Sequence, residues 1–178
     1  VTSTAVTSGT EDSAYSYTLT ATDADSGDTI TYSASILPSW LSLNAGSGVL
    51  SGTPTNSDVG THSVVLVATD NHGAADIQSF TIAVSNVNDT PTVTSGALTS
   101  STEDSAYSYT FAASEVDSGD TITYAATTLP SWLSINSSTG VLSGIPTNSE
   151  VGTHSVVLTA TDGSGAVDTQ SFTITVSN

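Results

Sequence analysis

The chain contains no lysine, no arginine and no cysteine. Without a basic side chain, nothing can neutralise a phosphate backbone, which excludes nucleic-acid binding. Against this stand 17 Asp and Glu residues and a formal net charge of −17, which argues against docking on an anionic membrane. The counter-ions left are metal cations or salt. No stretch approaches the ~18 consecutive apolar residues of a spanning helix, so no membrane insertion is expected. No signal peptide is visible. With no cysteine, a small secreted domain must be held by its core or by metal. Low aromatic content and abundant Ser and Thr are compatible with disorder, but regular runs of Val, Ile, Leu, Tyr and Phe alternating with small polar residues argue for strands.

What is present is a repeat. Glu11 recurs as Glu103, Asp25 as Asp117, Trp40 as Trp132, Pro54 as Pro146, Asp70 as Asp162 and Phe80 as Phe172, each pair 92 residues apart. No gap is needed, and about three quarters of the aligned positions are identical. The expected organisation is a first module over residues 1–86, a linker over 87–92 and a second module over 93–178. The second copy stops where its own linker would begin, which predicts a longer array. Each unit is long enough to bury a core of its own, so the modules are beads and not solenoid coils.

Within one unit, β-branched runs separated by turn signals predict an all-β fold: two tandem Ig-like, seven-stranded Greek-key sandwiches. Thr2–Thr7 reads as strand A. In strand B, Tyr15, Tyr17, Leu19 and Ala21 share one face. Ile30, Tyr32 and Ala34 point inward on strand C, after the acidic loop Asp23–Asp28. Pro38 forces an irregular approach to strand D, and Val49-Leu50 is strand E. His62, Val64, Leu66 and Ala68 face inward on strand F, as do Phe80, Ile82 and Val84 on strand G.

In such a sandwich the B–C and F–G loops lie at one end, and the A–B and E–F connections lie at the other with the exit of strand G. Stacked end to end, the two units would bring Glu11, Asp58, Asn88 and Asp89 against Glu115, Asp117 and Asp162 around the linker Ser85-Asn-Val-Asn-Asp-Thr-Pro91. Two carboxylates ~5 Å apart repel by roughly 3 kcal/mol at an effective dielectric near 20, so the cluster needs a cation. Hard oxygen donors from several loops suit Ca²⁺ better than Mg²⁺. The competing reading is a solvated acidic surface. Against it, every acidic residue of the second unit falls on an acidic position of the first, and none is balanced by a base.

The segments Leu37–Asn44, Ser51–Gly60 and Ala68-Thr-Asp70, repeated at Leu129–Asn136, Ser143–Gly152 and Ala160-Thr-Asp162, carry a resemblance. The chain resembles the dystroglycan-type cadherin-like modules, also described as Ig-like, of large bacterial surface and secreted proteins. The resemblance implies an Ig-like sandwich, calcium between modules, and adhesion or carbohydrate contact. It also implies, by position, that Glu11, Asp58, Asn86 with Asn88 and Asp89, Glu115 with Asp117, and Asp162 are the calcium ligands. The sequence departs from the cadherin pattern at Asn86, where an Asp is usual, at Thr90, where an Asn is usual, and at Glu115, which replaces an Asp. One to three ions are therefore expected.

Other candidates are weaker. Asp23-x-Asp-x-Gly-Asp28 is no EF-hand loop, because its Gly is one place early and Ala34 stands where the closing Glu belongs. Trp40 and Trp132 read as core plugs, since a sugar platform needs neighbouring exposed aromatics. His62 and His154 read as half-buried and bonded to backbone, and no His or Cys cluster suits zinc. No spacing favours a catalytic triad or a carboxylate pair, so no enzyme is expected. The expected function is that of calcium-rigidified extracellular modules of an adhesion or stalk protein. The expected partners are calcium, adjacent repeats, and a polysaccharide or a partner cell-surface protein. The alternatives are carbohydrate-binding accessory modules and metal-independent spacers.

Overall fold

Alternation of buried and exposed residues sets every long strand. In Gly60–Thr69 the residues Val64, Leu66 and Ala68 are buried, and the residues between them are not. The computed structural model describes Val1 to Asn178 and divides into two compact units, Val1–Val87 and Asn88–Asn178.

The first unit has seven strands: β1 (Ser8–Thr10), β2 (Tyr15–Thr18), β3 (Thr31–Ile36), β4 (Leu41–Leu43), β5 (Val49–Gly52), β6 (Gly60–Thr69) and β7 (Ala75–Ser85). They form one sheet of order β1-β7-β6-β3 and a second of order β2-β5-β4. All pairings are antiparallel except β1 with β7. Tyr15, Tyr17, Leu19, Leu41, Leu50, Val64, Leu66, Ile82 and Val84 fill the core. Trp40 packs against it, edge-on to Tyr15 at 5.7 Å and to His62 at 6.0 Å. The core-plug reading of the tryptophan and the backbone-bonded reading of His62, whose Nε2 lies 2.6 Å from the Asp58 carbonyl, are what the structure shows.

The second unit repeats this with β9 (Ser100–Thr102), β10 (Tyr107–Thr110), β12 (Thr123–Thr128), β13 (Leu133–Ile135), β14 (Val141–Gly144), β15 (Gly152–Thr161) and β16 (Val167–Ser177). It adds a short antiparallel pair, β8 (Thr92–Val93) with β11 (Ala113–Ser114). The fold is two tandem all-β sandwiches of Ig and cadherin type.

The sequence expectation for strand A needs correction. Thr2–Thr7 is not a regular strand. Thr2 N–H donates to the Thr20 carbonyl beyond β2, whereas Ala83 N–H of β7 donates to the Thr7 carbonyl. The chain passes from the edge of one sheet to the edge of the other, and only the last residues settle into a ladder, as β1. The Leu-Pro-Ser-Trp motif has a steric partner: a Cβ on Gly52 would collide with the Trp40 carbonyl, and one on Gly144 with that of Trp132. No helix is long and apolar enough to cross a membrane.

Candidate metal centre

The second unit holds five of the expected ligands: Asn88, Asp89, Glu115, Asp117 and Asp162. Asp162 ends β15 in a tight turn, where its Oδ1 accepts the N–H groups of Ser164 at 2.9 Å and Ala166 at 2.8 Å. Its Oδ2 accepts the Asn88 side-chain amide at 2.8 Å. That Asn88 bond, with the turn amides, outweighs burial and holds the Asp162 carboxyl below the usual carboxylate range. Asp117 accepts the Asp89 N–H on Oδ2 at 2.7 Å, and its Oδ1 is buried with no partner. Glu115 folds back onto its own loop, Oε1 accepting the N–H groups of Val116 and Asp117, while Oε2 is buried without a partner. Asp117 and Asp162 are each only 6% exposed.

In the first unit, Glu11 is completely buried, although its sequence reads as a polar break. Its backbone N–H donates to the Ser85 carbonyl, which fixes the turn after β1 beside the end of β7. Its Oε1 accepts the Val87 N–H at 2.5 Å, next to Asn86, and its Oε2 has no partner. Asp58 lies in a short 3₁₀ turn, Asn56–Asp58, and its Oδ2 accepts both the N–H and the hydroxyl of Thr55 at 2.9 Å. Those bonds pull its pKa down, the Thr55 N–H contributing most. One oxygen of its carboxylate thus caps the turn. In the second unit Glu103, the counterpart of Glu11, accepts the Asn148 amide at 2.8 Å.

Sequence reasoning left Asp120 out of the site. Its Oδ2 is buried and unpartnered, and Oδ1 lies 3.3 Å from where a Cβ on Gly163 would stand. The signal was available, because its repeat partner Asp28 closes the same acidic loop. In the first unit the carboxylates of Asp23, Asp25 and Asp28 converge within 4.8 Å, and His72 Nδ1 lies 3.0 Å from Asp28 Oδ2.

The donors of each unit fit a hard divalent cation. In the second unit three carboxylate oxygens, on Glu115, Asp117 and Asp120, are buried without a partner, and in the first unit Glu11 Oε2 is, in a chain with no Lys or Arg. Each buried unsatisfied acceptor costs about 1–3 kcal/mol, a sizeable part of the ~5–15 kcal/mol margin of a whole domain. Oxygen-only donors of this kind match Ca²⁺ in chemistry.

Comparison with known proteins agrees with the fold. Over 156 residues, 86% of this chain, the sequence is 37% identical to the "Serine-rich adhesin for platelets" of Staphylococcus aureus strain MRSA252. The same similarity extends to that protein in strain MW2. The chain spans only 11% and 6% of the length of these two relatives. Among solved structures, human Protocadherin-24 EC1-2 is similar with a TM-score of 0.60 and 17% identity, over 91% of this chain and 88% of that one. The human Desmocollin-1 ectodomain gives a TM-score of 0.54 and 20% identity, over 95% of this chain and 38% of that one. These likenesses show the fold. A family profile described as "Putative Ig domain" matches residues 1–85 and again residues 90–177. The chain belongs to this Ig-domain family and carries two consecutive copies of its domain.

Proposed function

We propose that these are calcium-binding, calcium-stiffened modules of an extracellular, cell-surface adhesion or stalk protein, with no enzymatic role. In this reading Glu115, Asp117 and Asp162, with Asn88 and Asp89 of the linker, hold calcium in the second unit. Glu11, Asp58 and Asn86 serve at the exit of the first. The ion supplies positive charge to carboxylate oxygens that have no base to face. The chain's own residues supply the rest: Asn88 and the Asp89 N–H orient the Asp162 and Asp117 carboxylates, and the turn amides of Ser164 and Ala166 fix Asp162. Stability and linker stiffness would then both rise with extracellular calcium, because a ligand of the native state alone stabilises it by RT ln(1 + [L]/Kd).

One observation carries this reading. Glu11 is fully buried with an unpartnered Oε2 in a chain that contains no Lys or Arg. The adhesion role is supported by the staphylococcal relatives, which are named as adhesins for platelets.

The test is thermal unfolding and small-angle scattering on the same sample in EDTA, in millimolar Ca²⁺ and in millimolar Mg²⁺. A higher melting temperature and a longer, stiffer particle with Ca²⁺ alone are expected. Identical curves in EDTA and Ca²⁺ would assign the orphan oxygens to buried water and overturn the proposal.

A further inference from the structure

The outer face of the first unit's sheet β1-β7-β6-β3 has the pattern of a covered surface. β6 carries the unbroken apolar run Val64-Val65-Leu66-Val67-Ala68, which suits a strand buried on both faces better than one with a solvated side. Val64, Leu66 and Ala68 are buried on the inner side, and Val65 and Val67 stand on the outer one. Ile77 of β7 lies opposite Val67 and is 59% exposed. Ile36 joins them through a bulge. Alternation from Tyr32 and Ala34 would turn it inward, but the register of β3 shifts between Ala34 and Ile36, which sets Ile36 opposite Val65 and leaves it 51% exposed.

The second unit has the same bulge and the same pairing, yet Thr128, Thr159 and Thr169 stand where the first has Ile36, Val67 and Ile77. Three apolar-to-hydroxyl exchanges within one patch set the two faces apart. The outer face of β6 and β7 is also free of charge. Their odd-numbered residues, Thr61 to Thr69 and Ala75 to Ser85, are Thr, Ser, Val, Ala or Ile throughout, in a chain with 17 acidic residues. Asp23, Asp25, Asp28, Asp58 and Asp70 lie in loops and turns, and Asp76 of β7 falls on the opposite parity.

We propose that this face docks a second copy of the chain, first unit on first unit, sheet against sheet. The charge distribution favours that occupant. A basic partner is drawn to the acidic loops, whereas a copy that itself carries −17 can approach closely where neither surface bears a charge. The relief of the face is self-complementary. A depression of about 470 Å³ is lined by Ile36, Ser63, Val65, Ser79 and Thr81, and the projecting Ile77 stands two residues along β7 from Ser79. A two-fold axis between the two features lets Ile77 of each copy enter the depression of the other. The area sets the strength. A sheet of four strands and at most about ten residues' length offers no more than roughly 650 Å², at ~4.8 Å per strand and ~3.4 Å per residue. That falls short of the ~800 Å² per partner of a standard stable interface, so the pairing is weak and reversible. It requires no bound ion and does not rest on the calcium reading.

The experiment is sedimentation equilibrium of the full chain from about 10 µM to about 1 mM, in EDTA and in millimolar Ca²⁺, at low and at high salt. A reversible monomer–dimer equilibrium is expected in both buffers, and it should tighten with salt, which screens the repulsion between two acidic copies. The variant Val67→Thr, Ile77→Thr installs the residues that the second unit already carries at these positions. It is expected to weaken the dimer by about tenfold or more. Its melting temperature in dilute solution should stay close to that of the parent. Should the double variant fold poorly, Ile36→Thr alone, which copies Thr128, is expected to weaken the dimer in the same direction. A chain that stays monomeric up to 1 mM at every salt concentration overturns the proposal. So does a dimer of unchanged strength in the folded variants, or one that salt dissolves or only Ca²⁺ supports, because the contact would then lie on the acidic loops. The calcium reading is judged separately, by whether the dilute monomer melts higher in Ca²⁺.

Discussion

The Val87 N–H donates to Glu11 Oε1 at 2.5 Å, while the other oxygen of the same carboxylate is buried with nothing to accept from. One oxygen thus ties the turn after β1 to the end of the first unit, and the other carries charge that no side chain balances. Glu11→Gln keeps the first bond and removes the charge. In EDTA it is expected to leave the melting temperature unchanged or to raise it, because the unpaired buried charge is gone. In Ca²⁺ it is expected to lose the ion-dependent part of the stabilisation. Calorimetry of both proteins in both buffers checks this, and an undiminished calcium response in the variant would remove Glu11 from the site.

Asn88 makes the one side-chain bond that reaches Asp162 Oδ2 in the second unit. Asn88→Ala is expected to lower the stability of the second unit, because it removes a charge-assisted bond to the Asp162 carboxylate. Asp162 titrates below its ordinary range, with the Asn88 bond as the largest cause. A depressed carboxyl contributes stability above its unfolded pKa, and that contribution is lost as pH falls through the folded value. The variant should therefore differ from wild type most near neutrality and converge with it in acid. Urea midpoints from neutral pH down through the carboxylate range measure this. A constant gap at every pH would mean that Asn88 acts by packing and not on the Asp162 charge.

Gly52 and Gly144 test the packing logic of the Trp motifs. A methyl group at either position meets the backbone carbonyl of Trp40 or Trp132, which has no flexible end to yield. Gly144→Ala is expected to destabilise the second unit by about 2 kcal/mol or more, the range of strong core overpacking. Because each unit has a core of its own, the melting of Val1–Val87 should be unaffected. A fully stable Gly144→Ala protein would show that the β13–β14 pair slides to make room.

Much of this was legible in the sequence, for a physical reason. Strands of period two print their burial directly, so Val64, Leu66, Ile82 and Val84 were identifiable as core from alternation alone. The repeat then doubled every observation. What alternation does not print is a chain that changes sheets, which is why Thr2–Thr7 read as one strand. Nor does it print the burial of an acid. Glu11 sits in a polar run, and nothing local reveals that Ser85 and Val87 close over it from 74 and 76 positions away in the chain. Nor does it print the local role of Asp58, one of whose carboxylate oxygens accepts both the N–H and the hydroxyl of Thr55, three residues earlier, and caps the turn. Asp120 was passed over because the spacing drew attention to Glu115 and Asp117, although its counterpart Asp28 marked the position in the other repeat.

The absence of basic residues makes the alkaline limb unusually simple to interpret. With no Lys or Arg, the six tyrosines are the side chains that titrate there. Burial, reinforced by the neighbouring Tyr17, pushes the Tyr15 phenol up to about 12, and burial with Tyr109 does the same to Tyr107. Each hydroxyl donates to a backbone carbonyl at 2.7 Å, Tyr15 to Val6 and Tyr107 to Leu98. The folded protein therefore holds these protons more tightly than the unfolded chain, whose phenols titrate near the ordinary tyrosine value of about 10. Their stabilisation is complete below that pH and is lost as pH rises through about 12. The double variant Tyr15→Phe, Tyr107→Phe gives up both bonds, about 1 kcal/mol each, and should be less stable at neutral pH. In return its stability should fall less steeply on the alkaline side, so the two curves approach each other at high pH. Denaturant midpoints measured from neutral pH upward decide it. Parallel curves would mean that general repulsion among carboxylates and phenolates, and not these two buried phenols, unfolds the protein in base.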